Sequence, residues 1–417
     1  MTTKPSYTPA LRFPDFLNDG EWEDYSIEEV FDIRNGYTPS KSKAEYWENG
    51  TIPWFRMEDI RANGNILSDS IQHITPEAVK GFGLLPAYSI IVATSATIGE
   101  HALITVESLA NQRFTYLSKK KSFEERVDMM YFHYYMFVID EWCKKNTNTG
   151  GFLSVNMSAF RQLRIPLPPF PEQRRIAQPL TALDELIAAT NEKLEQMKAY
   201  KKGLMQKLFP AKGKKLPQLR FKEFEKDGEW EVKKLGEVTK DVNRRNKSNR
   251  NLPIYSISNK DGFILQSEQF DGLDSISRGY DTSLYKIVTS NTFAYNPARI
   301  NVGSIGYSGN IKECLISSLY VCFKTTEDVD DSFLMYFFDT SSFNQSVENN
   351  VEGGIRSYLF YENFSKIKIM FPSISEQKRI VSFLKAIDEI IDALSNKFSE
   401  LERYKIGMMQ KMFPIIK

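Results

Sequence analysis

Two stretches of the chain carry apolar residues at alternating steps of four and three. In the first, Ile176, Leu180, Leu183, Ile187, Leu194, Met197, Leu204 and Leu208 recur in this way, with Thr190 and Lys201 filling the two gaps. In the second the same steps run through Ile380, Leu384, Ile387, Ile391, Leu394, Phe398, Leu401, Met408 and Met412, with Lys405 at the place of Lys201. A 3.5-residue period held over about five heptads predicts a coiled-coil seam rather than an ordinary surface helix. Each helix, of about 37 residues, spans roughly 55 Å at 1.5 Å per residue. Pro168, Pro169 and Pro171 end whatever strand precedes the first helix, and Phe209-Pro210 and Phe413-Pro414 end the two helices. Ser373 with Glu376 forms a capping-box pattern. Pro179, which faces Phe383 in the second copy, predicts a kink or a late start of the first helix.

Between these stretches the periodicity shortens. "IPWFRMEDI", "SIIVATSATIG", "HALITV" and "RFTYLS" predict short strands separated by Gly, Pro and Asn turns, and "MMYFHYYMFVIDEWC" (129–143) predicts an aromatic, buried helix. A similar order follows later in "LPIYSIS", "NTFAYNPA", "SIGYSG" and "LYVCFKT", with a helix near "SFLMYFFDT". Strand-like runs, "QLRIPLP" and "KIKIMFP", come just ahead of each long helix.

The two halves repeat one another. Residues 172–210 align with 376–414 without a gap, and 19 of the 39 positions are identical. "PALRFPDFLNDGEWE" (9–23) matches "PQLRFKEFEKDGEWE" (217–231), placing Trp22 on Trp230. Two tandem units therefore run over about 9–210 and 217–414, joined by "AKGKKL". The bodies between the echoes, about 24–165 and 232–369, share little sequence, so a common scaffold carries two different payloads. The expected division is 1–170, a first recognition body; 171–210, the first helix; 211–374, linker and second body; and 375–417, the second helix. A period near 200 residues is far too long for a solenoid. The fold class expected is α+β: two tandem mixed α/β domains, each followed by a long helix, the helices packing as an antiparallel coiled coil with pseudo-two-fold symmetry.

Composition narrows the function. The 41% hydrophobic and 26% charged content fits an ordinary globular protein. A net charge of +1 means that nucleic-acid binding has to come from local clusters. Three cysteines (Cys143, Cys314, Cys322) and three histidines (His73, His101, His133) lie at no metal-ligand spacing. Few thiols and no long apolar run point to the cytoplasm. Catalytic signatures are missing. "YNPAR" (295–299) lacks the second Pro and the aromatic of an amino-methyltransferase loop, no Walker loop occurs, and "VGSIGYSG" is not a dinucleotide fingerprint. Basic and polar loops remain: Lys119, Lys120 and Lys121; Arg244, Arg245, Lys247 and Arg250; and "NKDGF", "NPARINVG" and "EGGIRSY". Asn and Gln suit adenine, Arg suits guanine, and Ser or Thr suits phosphate.

"IPLPPFPEQRRIA" and "ISEQKRIV" opening the helices, "GLMQKLFP" and "GMMQKMFP" closing them, and the "LRF…GEW" lead-ins together resemble the specificity (S) subunit of Type I restriction–modification systems. "IPWFRMEDI" and "ATSATIGEHALI…NQRF" are similar to that family's target recognition domains. The second copy departs in having "FPSIS" for "LPPFP". The resemblance implies that each body reads one half of a split, asymmetric site on double-stranded DNA. It implies that the helices dock two modification (methyltransferase) subunits, with restriction subunits carrying translocation and cleavage. It implies no cofactor here, S-adenosylmethionine, ATP and Mg residing in the partners; no catalytic residue; and one copy per complex. Candidate DNA contacts are Lys119, Lys120, Lys121, Arg113, Asn156, Arg244, Arg245, Lys247, Arg250, Asn259, Lys260, Arg299, Asn301, Arg356 and Tyr358. Candidate subunit or coiled-coil contacts are Glu172, Gln173, Arg175, Ile176, Leu183, Ile187 and Lys201, with Glu376, Gln377, Arg379, Ile380, Ile387, Ile391 and Lys405 in the second copy. Two alternatives stay open: a specificity subunit whose partners are a fused methyltransferase-nuclease, and a coiled-coil scaffold with no DNA role.

Overall fold

The computed structural model describes residues 7, 9–81, 83–148, 153–350 and 358–414. The chain forms two compact units, one of residues 1–191 with 396–417 and one of residues 192–395. Each long helix, Phe170–Leu208 and Ile374–Met412, thus gives its first half to one core and its second half to the other. A division in sequence order cannot express that exchange.

In the first unit a five-stranded sheet has the order Phe31–Asn35, Phe114–Lys119, Ser89–Ala93, His101–Ile104, Ile66–Leu67, antiparallel except for the last pair. All five residues of Ser89–Ala93 are buried, which is why this strand reads as an apolar run instead of an alternation. A three-stranded sheet (His73–Ile74, Ile52–Phe55, Leu109–Ala110) adjoins it. The aromatic helix Met129–Lys145 starts where Asp128 accepts from the Tyr131 N–H at 2.9 Å, and it buries Tyr131, Phe132, Tyr134 and Tyr135. In the second unit one four-stranded sheet runs Thr239–Asp241, Val321–Thr325, Phe293–Tyr295, Ile305–Tyr307. The other runs Gly262–Leu265, Ile254–Ser258, Glu313–Ile316, Lys286–Thr289. Asp330 caps the helix Asp331–Phe338 as Asp128 does in the first unit.

Each body has its own two-stranded stalk, and the two stalks have the same form. Glu23–Ser26 pairs antiparallel with Arg164–Leu167, and Glu231–Lys234 pairs with Lys368–Phe371 in the same register. The stretches that share little sequence lie between these strands.

The expected seam is the buried one. Every position named for it in either helix is buried or half-buried. Ile176, Ala177 and Leu180 share a core with Met412 and Phe413, and Leu204, Met205 and Leu208 share one with Ile380, Val381 and Leu384. In each unit the start of one helix therefore lies beside the end of the other, the antiparallel arrangement.

Three local expectations are corrected. "MEDI" is not strand: Met57–Asn63 is helical, because Asp59 turns back to accept from the Arg56 N–H at 2.6 Å. The first helix does not start late. It begins at Phe170 and runs through Pro179, its first turn held by the buried Glu172 and Gln173. Ser373 accepts from the Glu376 N–H at 3.3 Å, but the reciprocal half of the box is missing because that carboxylate is engaged elsewhere.

One buried group gives a stability prediction. His133 is fully buried, and neither of its ring nitrogens has a partner. Burial, then His101 from the neighbouring strand and Lys405 from the second long helix, hold it well below the ordinary imidazole range. The folded state thus refuses a proton that the unfolded chain takes near pH 6.5. Stability is fully present above that pH and is lost as pH falls below it. All three histidines lie in the first unit. His133→Phe is expected to stabilise that unit by about 1–3 kcal/mol through removal of unsatisfied buried groups. In urea unfolding its advantage over the parent should widen from pH 7.5 to pH 5.5; an equal or shrinking gap would refute the account.

Candidate nucleic-acid interface

The repeated phrases meet in space. Arg12 of the first lead-in grips Glu172 with two parallel hydrogen bonds, Nε to Oε1 at 2.7 Å and a terminal nitrogen to Oε2 at 2.8 Å, and donates to the Gly20 carbonyl at 2.6 Å. Arg220 does the same to Glu376, at 2.8 Å twice, and to Gly228 at 2.7 Å. Both carboxylates are buried. This hydrogen bonding pushes each guanidinium further above its ordinary range. Beside them Gln173 accepts from the Asp128 N–H and donates to the Arg126 and Pro168 carbonyls, and Gln377 accepts from Asp330 and donates to Asp328 and Pro372. Glu172, Gln173, Glu376 and Gln377, expected as subunit or coiled-coil contacts, are buried and engaged inside their own units. Arg175 and Arg379 remain exposed, each over an aromatic ring, Phe13 or Phe221, at 4.9 and 4.5 Å.

The seam lysines join three elements. In the first unit Lys405 pairs with Asp184 at 2.5 Å, and the other carboxylate oxygen of Asp184 accepts from the Tyr134 hydroxyl at 2.8 Å. In the second, Lys201 pairs with Asp388 at 2.5 Å and Tyr336 donates to Asp388 at 2.6 Å. Each ammonium also stands over the tyrosine ring, at 5.4 and 5.1 Å. The lysines tie one helix to the other and to the body instead of reaching into solvent.

In the second body the basic run is divided by an acid distant in sequence. Arg250 forms a two-pronged pair with Glu313, and Arg244 lies 3.6 Å from the same carboxylate. Arg245 and Lys247 are exposed with no ion pair among the described residues. Between them the buried Asn246 bonds to Tyr285, Arg250 and Thr282, fastening this run to the loop 266–285. Asn259, Lys260, Arg299 and Asn301 are exposed at the other end of the strand Ile254–Ser258, roughly 15 Å away at 3.3 Å per residue. There the strands Gly262–Leu265 and Ile305–Tyr307 touch backbone to backbone: a Cβ on Gly306 would lie 2.9 Å from the Gly262 Cα. Tyr358 stacks on Phe360, and the adjoining Leu359 N–H reaches the Pro297 carbonyl at 2.9 Å, which brings Tyr358 to this second group. Arg356 lies outside the described residues.

The first body is divided in the same way. Lys119 donates to the Glu124 and Val127 carbonyls, both at 3.0 Å, and Lys120 to the Glu28 carbonyl. These two complete the backbone hydrogen bonding of turns, and only Lys121 of the triplet is exposed. At the far end of the strand Phe114–Lys119 stands the exposed Arg113. Its carbonyl accepts from Thr94, whose own carbonyl accepts from Val155, next to Asn156. Arg113 and Asn156 therefore share a loop cluster, although the Asn156 oxygen is already the cap of a short helix.

Sequence reasoning missed two kinds of residue. On the long helices Leu186 and Tyr200 are exposed at the positions where Ile390 and Tyr404 are exposed in the second copy. Off-phase apolar residues were the available signal. In the second body the loop 266–285 exposes Phe270, Leu273, Ile276 and Tyr280 around Arg278; "FDGLDSISRGY" has no periodicity to mark it. Among the described residues no His, Cys, Asp or Glu group is placed to hold a metal ion, and no helix is long and apolar enough to cross a membrane.

Comparison with known proteins gives a consistent result. The family described as Type I restriction modification DNA specificity domain matches residues 19–199 and 227–403, one match per copy. The specificity subunit of the Type I restriction enzyme EcoprrI from Escherichia coli is 54% identical over 38% of this chain and 40% of its own length. A putative specificity subunit of the MjaX enzyme from Methanocaldococcus jannaschii is 29% identical over 61% of this chain and 60% of its own. The chain thus aligns with less than two thirds of either relative. Among solved structures, the Type I S subunit from M. genitalium superposes with a TM-score of 0.58 at 15% identity, covering 98% of this chain and 100% of that one. A chain from work on assembly and conformational transition of the type I R-M system gives 0.56 at 16%, covering 94% and 97%. At such identities the likeness is one of fold.

Proposed function

Because the chain belongs to the family of Type I restriction–modification DNA specificity domains, we propose that it is the DNA-reading subunit of such a complex and recognises an asymmetric bipartite site, one body per half-site. The observation that carries this reading is the double family match, with two dissimilar bodies on one repeated frame. Identical bodies would suit a palindrome; different ones suit two different half-sites. Methyl transfer and cleavage then belong to partner subunits, with S-adenosylmethionine, ATP and Mg. The curated relatives are likewise named specificity subunits.

Exposed Leu186, Tyr200, Ile390 and Tyr404 support docking of two modification subunits on the helices, since these two exposed apolar positions of the first helix recur on the second. Tyrosine is among the residue types most often found as the anchor of a protein interface, which suits Tyr200 and Tyr404. The reading is tested by single-molecule methylome sequencing of a host with and without this gene. One asymmetric, interrupted methylated motif should vanish with the gene; an unchanged methylome in the presence of active partners would count against it.

A further inference from the structure

We propose that Arg278, on the loop 266–285 of the second body, reads a guanine in the half-site of that body; this rests on the proposed role in DNA recognition. Its backbone N–H and its Nε both donate to the Asp274 carbonyl, at 3.1 and 3.2 Å. The guanidinium is held over Phe270 at 4.7 Å and beside Tyr280 at 5.5 Å. Its two terminal nitrogens have no partner among the described residues. Stacking and the Nε bond fix the plane of the group, while the free prongs match the O6 and N7 acceptors of guanine in the major groove. The turn beneath is itself fixed, with Asp274 and Ser277 exchanging backbone and side-chain hydrogen bonds at 2.8–3.0 Å.

Charge decides between base and backbone. The loop carries Glu268, Asp271, Asp274 and Asp281 against Arg278, so it is ill suited to lie along phosphates. Base edges offer donors as well as acceptors, and thymine methyls accept apolar contact of the kind that Leu273 and Ile276 present. The phosphate contacts fall to Arg245 and Lys247, on the run that Asn246 fastens to the foot of this loop.

The test is methylome sequencing of a host carrying the chain with its modification subunits, as parent, Arg278→Ala and Arg278→Lys. The parent motif should contain a guanine in one half-site. Both variants should relax that one position, with roughly tenfold or greater loss of preference for G·C there. The other half-site and the spacing should stay unchanged. Lysine keeps the charge but not the fork, so rescue of specificity by Arg278→Lys would overturn the proposal. A uniform drop in methylation with the motif intact would make Arg278 a phosphate contact, and loss of co-purification with the modification subunits would make the loop a protein interface; either outcome overturns it. If the parent gave no bipartite motif at all, the reading of function would fail first, and visibly so.

Discussion

Glu172→Ala is expected to destabilise the first unit by about 3–5 kcal/mol, the range for removing one partner of a buried ion pair. The carboxylate is wholly buried and Arg12 nearly so, and alanine leaves that guanidinium without the group it faces at 2.7 and 2.8 Å. Glu376→Ala should act likewise on the second unit, with a further loss because Glu376 also accepts from the Trp230 indole at 3.2 Å, a bond that Trp22 lacks. Equilibrium unfolding in urea is the measurement, analysed as two transitions because the chain has two units. Arg12→Ala in the Glu172→Ala background should cost far less than it does alone, since the pair fails as one. Additive costs would show that the clasp is not coupled.

Exchanging residues 27–163 for the equivalent body of a related subunit is expected to replace one half-site completely and leave the other intact. The cuts fall just inside the paired strands Glu23–Ser26 and Arg164–Leu167, whose register of Glu23 with Leu167 and Ser26 with Arg164 is made without the body. The stalk, the Arg12–Glu172 pair and the helix sequence are kept, and the incoming body has to supply the groups that Asp128 and Tyr134 offer here to Gln173 and Asp184. Methylome mapping of the exchange reads out both halves at once. A change in both half-sites would mean that recognition is shared between bodies.

The frame was legible because its physics is repetitive. A heptad seam, a double lead-in and a proline stop are each local signals, and the buried seam follows the positions named from period alone. The site was less so. Lys119 and Lys120 look like phosphate contacts in one dimension, but a basic side chain near unsatisfied carbonyls is drawn to them. Arg250 and Arg244 meet Glu313 across more than sixty positions, a pairing that the joins of Glu313–Ile316 with its two neighbouring strands create. Glu172 stands out by its recurrence, which suggests a subunit or coiled-coil contact but not an ion pair with the lead-in. Its partner, Arg12, lay in the other echo, and nothing in the sequence says that two echoes touch. Arg278 escaped because irregular loops carry no period; its signal is stacking, which exists only after folding.

The clasp has an echo at the helix ends. The Leu219 N–H reaches the Lys207 carbonyl at 2.9 Å, binding the second lead-in to the end of the helix just before it. The Leu11 N–H reaches the Lys411 carbonyl at 2.8 Å, and these are the same two positions of the repeat. In one unit a short covalent segment, 211–216, joins the partners; in the other no peptide bond does, and the contact forms all the same. Each lead-in is thus held against the end of a long helix whether or not a short peptide segment joins the two, so docking rather than chain continuity sets that junction.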